Sequence, residues 1–331
     1  MKAVIVKAFG PAENHRVGDM PDPAAGEGEV VVEIAASEAN YPDLLFVEGK
    51  YQRKADLPTV PGMGGAGRVV ETGPGVTDFT VGQKVLVLPD EGTHAERVRA
   101  LAGHCIAVPE EVPFDVAAGL GLAFQTAYFA LMDHGRFRKG ETVMVLGAKG
   151  GVGSAAILLA KALGAGGVIA VTRGEAGANA ARKCGADLAV DATDPALRDS
   201  LRDAVHAATD GRGADVVIDP VGGTITEAAL RAMAWRGRLV VVGFASGDIP
   251  VFKGNYLLLK GLSVSGFQWT DHREREMGRV RQAQAEMFDL FLQGRLAPMI
   301  SRVLPLEAFA EAMDELQAGR AEGKIVFGIT S

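Results

Sequence analysis

The spacing of hydrophobic and polar residues changes about a third of the way along the chain. In the first third, short β-branched and apolar runs such as "EVVVEIAA" and "QKVLVLP" are separated by stretches rich in glycine and proline. Such runs, bounded by Gly and Pro, are typical of β-strands. The pattern therefore predicts a mostly-β domain, barrel-like or sandwich-like, over residues 1–122.

From residue 123 the pattern alternates between apolar strands and helices. The strand "ETVMVLG" is followed by the helical stretch "VGSAAILLAKALG", and further strands include "GVIAVTR", "ADVVIDP" and "RLVVVGF". Near-continuously apolar strands that alternate with helices indicate a parallel sheet covered on both faces. We therefore predict an α/β chain with a doubly wound, Rossmann-type domain at 123–267, and a segment at 268–331 that returns to the first domain.

The stretch "VMVLGAKGGVGS" joins a strand to a helix through a glycine-rich turn. This is the dinucleotide fingerprint, with Ala148 at the first glycine position. Glycine at 150 lets the backbone approach a pyrophosphate, glycine at 153 allows close helix–sheet packing, and the helix N-terminus offers free N–H groups. The predicted pyrophosphate contacts are Lys149, Gly150, Gly151 and Val152.

The end of the next strand indicates which dinucleotide binds. An NAD site usually has Asp or Glu there to hold the adenosine ribose hydroxyls, whereas this chain has Thr172 and Arg173. A carboxylate would repel a 2′-phosphate, and a guanidinium would bind it through charge-assisted hydrogen bonds. The sequence therefore favours NADPH as the cofactor, with the alternative that Arg173 is a solvated surface charge.

Charge and cysteine usage exclude several classes of function. The net charge is −7, which disfavours nucleic acid as a partner. The two cysteines form no CxxC pair, so we expect neither a disulfide framework nor a thiolate zinc cluster. This cysteine usage fits a reducing compartment, and we expect a cytoplasmic location. The N-terminal apolar run is too short for a signal peptide, and no uncharged run is long enough to span a membrane.

A second glycine cluster, Gly62–Gly67, precedes a strand with no helix after it, so we interpret it as a tight loop rather than a phosphate site. The surrounding segment "LPTVPGMGGAGRVVETGPGVTDFTVGQKV" resembles medium-chain dehydrogenases/reductases. "NYPDLLFVEGKYQ", "DPVGG", "AWRGRLVVVGFASGDIP" and "GKIVF" resemble their NADPH:quinone oxidoreductase branch. The resemblance covers nearly the whole chain. It implies a GroES-like, mostly-β catalytic domain split around a Rossmann domain.

The chain departs from this family at the metal position. Zinc-dependent members have Gly-His-Glu here, and the quinone branch usually keeps the Glu, whereas this chain has Met63 and Gly64. No cysteine lies near Asn40, where zinc alcohol dehydrogenases have their first ligand, and the structural zinc lobe is missing. Since zinc needs three or four N, S or O ligands, we expect no metal site.

The resemblance also implies roles for individual residues. Asn40 and Tyr51 correspond to positions that line the substrate cleft, where either could donate a hydrogen bond to a carbonyl as charge develops; Asn40 as a turn cap and Tyr51 as a loop aromatic are the alternatives. Asp43 is expected to be a turn acid. The remaining cofactor contacts implied by the resemblance are Thr126, Gly243, Phe244, Phe267 and Lys324.

Without a metal to polarise the alcohol oxygen, alcohol oxidation is disfavoured. The reaction that we expect instead is hydride transfer from NADPH to an electrophilic π-system. We expect a quinone as acceptor, with reduction of an enone or of an enoyl- or acryloyl-CoA thioester as the alternative, for which Arg53 and Lys54 are a weak hint. A non-catalytic NADPH-binding protein is a lesser alternative. The resemblance further implies a homodimer that pairs through the edge strand at Leu262–Phe267.

Overall fold

The computed structural model describes residues 1–329 and divides into two compact units. The first unit comprises Met1–Ala123 together with the chain from Glu276 onward, and the second comprises Phe124–Arg275. Over the described range, no helix combines the length and the apolar character that a membrane crossing requires.

Strands and helices follow one another in the order that the two spacing patterns predict. The strands are β1 Lys2–Ile5, β2 Arg16–Asp19, β3 Glu29–Ala39, β4 Gly65–Thr72, β5 Lys84–Val87, β6 Arg97–Leu101, β7 Cys105–Ala107, β8 Thr142–Leu146, β9 Gly167–Thr172, β10 Leu188–Asp191, β11 Ala214–Asp219, β12 Met233–Val241, β13 Ser263–Gly266, β14 Ile300–Pro305 and β15 Lys324–Gly328. The α-helices are α1 Tyr41–Val47, α2 Phe114–Gly119, α3 Leu122–Phe129, α4 Gly151–Ala162, α5 Gly174–Lys183, α6 Leu197–Ala208, α7 Gly223–Ala232, α8 Gly254–Lys260, α9 Trp269–Arg275, α10 Met277–Leu292 and α11 Phe309–Gln317.

The second unit is built on a six-stranded sheet in the order β10-β9-β8-β11-β12-β13. All neighbouring strands in it are parallel. The chain runs outward from β8 on one side and from β11 on the other, so the crossover connections diverge between these two strands. This is the strand order of the dinucleotide-binding fold, and the predicted doubly wound parallel sheet is confirmed.

The first unit is mostly β, as predicted. Its seven-stranded sheet runs β14-β15-β3-β4-β5-β7, with β6 paired to the long strand β3, and β1 and β2 form a separate two-stranded sheet. The closing strand β15 pairs antiparallel with β3, which places Val326 beside Glu38. This pairing brings the C-terminal segment of the chain back to the strands formed by its first third.

The glycine cluster before β4 lies where two backbones pass closely. A Cβ atom on Gly67 would overlap the backbone oxygen of Glu33 on β3, and the β3–β4 register shifts between Ile34 and Ala36. Gly62 has a φ of +106°, and a Cβ there would lie 2.6 Å from the backbone nitrogen of His94. These glycines are scaffold residues that the strand packing requires.

Candidate functional site

The glycine-rich turn between β8 and α4 has the geometry that its sequence predicts. Gly150 is the exposed N-cap of α4 and provides no side-chain cap, and its backbone nitrogen donates to Gly147 O at 3.0 Å. A Cβ on Gly153 would lie 2.8 Å from Ala148 Cα, so α4 packs tightly against the turn. The first N–H groups of an uncapped helix are free to bind an anion.

The loops that follow β8, β11 and β12 meet at the carboxyl edge of the parallel sheet. A Cβ on Gly147 would lie 2.6 Å from Val221 Cγ2, so the first two loops are in contact. The third loop attaches through Ala245 N, which donates to Pro220 O at 3.1 Å. This edge, at the point where the strand order diverges, is where such sheets bind dinucleotides.

The loop after β11 is held by Asp219, whose role the sequence did not reveal. Its buried carboxylate accepts hydrogen bonds from Val221 N and Gly222 N, each at 2.9 Å, and from Thr226 Oγ1 at 2.5 Å. The motif "DPVGG" was a sequence signal, but only the fold shows that Asp219 is a loop organiser.

Gly243 and Phe244 lie in the loop after β12. The Phe244 side chain is 44% exposed, and a Cβ on Gly222 would lie 3.1 Å from its Cδ1 atom. Both residues therefore stand at the same edge as the glycine-rich turn, which suits the backbone contacts with the cofactor that the resemblance implies for them.

Thr172, the last residue of β9, and Arg173, which follows it, differ in how far their side chains are exposed. Thr172 is buried, and a Cβ on Gly177 of α5 would overlap its hydroxyl. Arg173, the N-cap of α5, is exposed, and no hydrogen bond or ion pair to its guanidinium occurs within residues 1–329. A guanidinium without an internal partner is available to an anionic ligand.

A carboxylate does lie close to this strand end, on β10 rather than β9. Asp191 accepts hydrogen bonds from Gly174 N at 3.0 Å and from Thr193 N at 2.9 Å. These two backbone hydrogen bonds, of which the one from Gly174 has the larger effect, hold the pKa of Asp191 below its ordinary value. The carboxylate therefore stays ionised and is committed to two backbone groups.

Phe267 lies against two histidines that sequence reasoning missed. Helix α3, which carries the half-buried Thr126, continues into a π-helical turn at Ala130–His134. The His134 ring stacks on Phe267 with centroids 4.5 Å apart, and His134 Nε2 lies 3.0 Å from His272 Nε2 on α9. These contacts fix the Phe267 ring within the second unit.

In the first unit the structure brings together two predicted site residues, Asn40 and Lys324. Asn40 precedes α1, and Lys324 begins β15; both are buried, and Lys324 Nζ donates to Asn40 Oδ1 at 2.6 Å. Tyr51 lies in the segment after α1, half-buried against the hydrophobic core of this unit. The pyrophosphate contact suggested for Lys324 stays a prediction, since its ammonium is engaged by Asn40.

A third, unpredicted residue completes this buried polar cluster. Glu38, fully buried on β3, pairs with Lys324 through Oε2 at 2.7 Å, and its Oε1 accepts a hydrogen bond from Leu122 N at 2.5 Å. An ammonium only donates, so Asn40 must turn Oδ1 toward Lys324. The Asn40 Nδ2 group then has no acceptor within the described residues, although it is buried.

Asn40 is also held by its backbone. Its N–H donates to Asp43 Oδ2 at 2.8 Å, and the same oxygen lies 3.4 Å from His94 Nε2, with both side chains fully buried. His94 Nδ1 in turn lies 2.9 Å from Ser37 Oγ. Asp43 is thus the turn acid that the sequence suggested, and the buried His94 ring lies beside it.

The described residues do not offer the ligands that zinc requires. No group of three or more His, Cys, Asp or Glu side chains capable of holding a metal ion occurs within residues 1–329. Met63 and Gly64, at the positions of the family ligands, supply no charged donor.

Two family models match the chain. The alcohol dehydrogenase GroES-like domain matches residues 26–150, and the zinc-binding dehydrogenase domain matches residues 151–283. Together they cover residues 26–283, which include all of the second unit and most of the first third of the chain.

Individual relatives agree with these models. Quinone oxidoreductase-like protein 2 homolog of Nematostella vectensis is 33% identical over 91% of this chain and 82% of its own length. A mycobacterial protein solved in complex with NADPH is 30% identical, with a TM-score of 0.89 and 99% of each chain covered. A 2-haloacrylate reductase structure is 26% identical, with a TM-score of 0.86 and both chains fully covered.

Proposed function

The chain belongs to the medium-chain dehydrogenase/reductase superfamily, and on that premise we propose that it is an NADPH-dependent oxidoreductase that reduces a quinone without zinc. The observation that carries the proposal is the uncapped turn of α4, accompanied by Arg173, which has no internal partner among residues 1–329 and stands where an NAD site would have a carboxylate. The relative solved with NADPH bound supports the same cofactor.

NADPH supplies the hydride. The residues of the chain bind the cofactor, orient the acceptor and stabilise the negative charge that develops on its oxygen. The α4 turn, with Lys149, Gly151 and Val152, holds the pyrophosphate, and Arg173 binds the 2′-phosphate. Asn40 Nδ2 donates a hydrogen bond to the acceptor's carbonyl oxygen as negative charge develops there, and solvent provides the proton. Because this amide group is buried and has no acceptor among the described residues, it needs little reorganisation to bind the developing oxyanion.

Zinc independence is tested by chelation. Dialysis against a strong chelator should leave the rate of NADPH oxidation unchanged, and elemental analysis should find no stoichiometric zinc. Loss of activity that added zinc restores would contradict this part of the proposal. The two buried cysteines, Cys105 and Cys184, form no disulfide, in keeping with the cytoplasm as the proposed location.

Reduction of an activated C=C bond is the second candidate, favoured by the resemblance to a 2-haloacrylate reductase. The acyl-CoA version of this candidate has less support, because Arg53 forms an ion pair with Asp90 and so offers less charge to CoA phosphates. Both reactions use the same hydride donor and differ in the acceptor.

Steady-state NADPH oxidation with a panel of acceptors separates the candidates. The panel contains 1,4-benzoquinone, 9,10-phenanthrenequinone, a simple enone and acryloyl-CoA. Highest kcat/KM with a quinone is the expected result, and a preference for the enone or for acryloyl-CoA would favour the second candidate. Tight NADPH binding without turnover of any acceptor would favour a non-catalytic binding protein.

We also propose a homodimer in which two copies of β13 pair. This strand ends the sheet, and beside it Leu258, Leu259 and Trp235 are 83%, 76% and 73% exposed. An unpaired edge flanked by apolar side chains favours association with a second copy. Light scattering should report a dimer for the native chain and a monomer for Leu258→Glu/Leu259→Glu, with Val81→Glu, an equally apolar exposed position in the first unit, as the control. A monomeric native protein would refute the proposal.

A further inference from the structure

The Glu38 carboxylate occupies a space left open by two glycines. A Cβ on Gly121 would lie 2.6 Å from Glu38 Oε1, and a Cβ on Gly64 would overlap the same oxygen. The three atoms nearest to a Cβ on Gly64 all belong to the Glu38 side chain. A side chain at position 64 would therefore displace the Glu38 carboxylate from this position.

Position 64 is also where the sequence departs from the quinone reductase pattern, which usually has a glutamate. In this chain the same volume contains a carboxylate, but it extends from β3 instead of from the loop before β4. Gly64 has no positive φ, so its backbone would accept a side chain. A carboxylate thus stands at this point although position 64 itself carries none, and we call the Glu38 group the relocated carboxylate.

The relocated carboxylate acts on Asn40 through Lys324. Glu38 Oε2 holds Lys324 Nζ at 2.7 Å, and Nζ donates to Asn40 Oδ1 at 2.6 Å. The backbone N–H of Asn40 is bound to Asp43, and its side-chain Oδ1 is bound to Lys324. Asn40 is therefore held both at its backbone and at its amide oxygen. Of the two polar atoms in the Asn40 side chain, Nδ2 is the one without a partner in the described part of the chain, and a buried donor in that state is an exception that binding of a ligand can relieve.

We propose that Glu38 is a positioning residue for the reductase. Its carboxylate fixes Lys324, and Lys324 orients the Asn40 amide so that Nδ2 donates to the carbonyl oxygen of the acceptor. This inference rests on the proposed function. It identifies Glu38 as the residue that sets the orientation of the Asn40 amide, the group that binds the acceptor oxygen.

The test exploits the steric exclusion between positions 38 and 64. Four proteins are compared: the native chain, Glu38→Ala, Gly64→Glu, and the double variant Glu38→Ala/Gly64→Glu. Glu38→Ala should lower kcat with benzoquinone at least about tenfold without changing the affinity for NADPH, because a misplaced oxyanion donor weakens transition-state binding. The double variant, which returns a carboxylate to the same volume, should recover most of this loss.

Gly64→Glu alone should be worse than the double variant, because it places two carboxylates in one space. If the double variant is folded but no better than Glu38→Ala, the positioning role is wrong. Glu38→Gln removes the charge at nearly constant volume, so it provides the comparison if Glu38→Ala does not fold. Unchanged kcat in folded Glu38→Gln would equally overturn the inference.

A second measurement does not depend on activity. The chain has four asparagines, Asn14, Asn40, Asn179 and Asn255, so selective ¹⁵N-asparagine labelling gives a sparse side-chain amide spectrum. The pair that disappears in Asn40→Asp is that of Asn40; it should shift in Glu38→Gln and in Lys324→Met, and return in the double variant. An Asn40 signal that does not respond would overturn the inference even if the reductase activity is real. A responsive signal in a protein that reduces no acceptor would instead overturn the proposed function, and with it the catalytic purpose of this network.

Discussion

Replacing Arg173 with alanine separates NADPH from NADH recognition. The guanidinium is exposed at the N-cap of α5 and has no ion-pair or hydrogen-bond partner within residues 1–329, so its removal breaks no internal contact. A charge-assisted hydrogen bond contributes about 1.5–3 kcal/mol. Because the site is exposed, we expect the lower half of this range, which corresponds to an NADPH affinity weakened about 10- to 40-fold.

The affinities for both cofactors are measured by fluorescence titration at low ionic strength. NADH lacks the 2′-phosphate, so Arg173→Ala should leave its dissociation constant nearly unchanged. Arg182→Ala is the matched control: it removes an exposed arginine from the same helix, one that pairs with Glu175 at 3.3 Å, and should affect neither cofactor. Equal weakening of NADPH and NADH binding by Arg173→Ala would refute the phosphate assignment, as would a native preference for NADH.

Three further outcomes are expected. Gly150→Val should abolish NADPH binding with the fold intact, because a Cβ there meets only Gly147 O, at 3.5 Å, while the branched side chain would fill the pyrophosphate space; retained affinity in a titration would contradict the site. Gly153→Ala should lower the free energy of unfolding by about 1–3 kcal/mol, since its Cβ would overlap the turn backbone, and an unchanged Tm would show that the turn can relax. Burial raises the pKa of the Cys105 thiol to about 12 and that of Cys184 to about 11, so both should react with a disulfide reagent at pH 8 only after unfolding; rapid labelling of the native protein would disprove this.

The dinucleotide turn could be predicted from the sequence because its determinants are local. The strand, the glycines and the first turn of α4 are consecutive, and each glycine has a steric reason that the sequence spacing already implies. The doubly wound sheet followed equally directly from the alternation of apolar strands and helices. The structure and the family models confirm the doubly wound sheet, and the strand, turn and helix follow one another where they were predicted; the cofactor contacts of the turn stay a prediction.

The buried polar clusters could not be predicted, because their members meet only through strand pairing. Glu38 and Lys324 come together because β15 returns to β3, and no spacing rule links residues so far apart in the chain. The half-buried His134 and His272 meet through helices instead, since His134 lies on the π-helical turn at the end of α3 and His272 lies on α9, and these two residues are also far apart in the sequence. β3 contains three glutamates, Glu29, Glu33 and Glu38, and the sequence alone could not show that Glu38 is the buried one and pairs with Lys324.

The glycine at position 64 has a bearing on how distant relatives are compared. A comparison that reads one aligned column would record that this chain has lost an acid and would group it with proteins that lack the corresponding chemistry. A comparison of occupied volumes would record no loss, because the neighbouring strand delivers the same group to the same point. Grouping relatives by where a charged group lies in the structure would therefore give different subfamilies from grouping them by the residue types of a sequence motif.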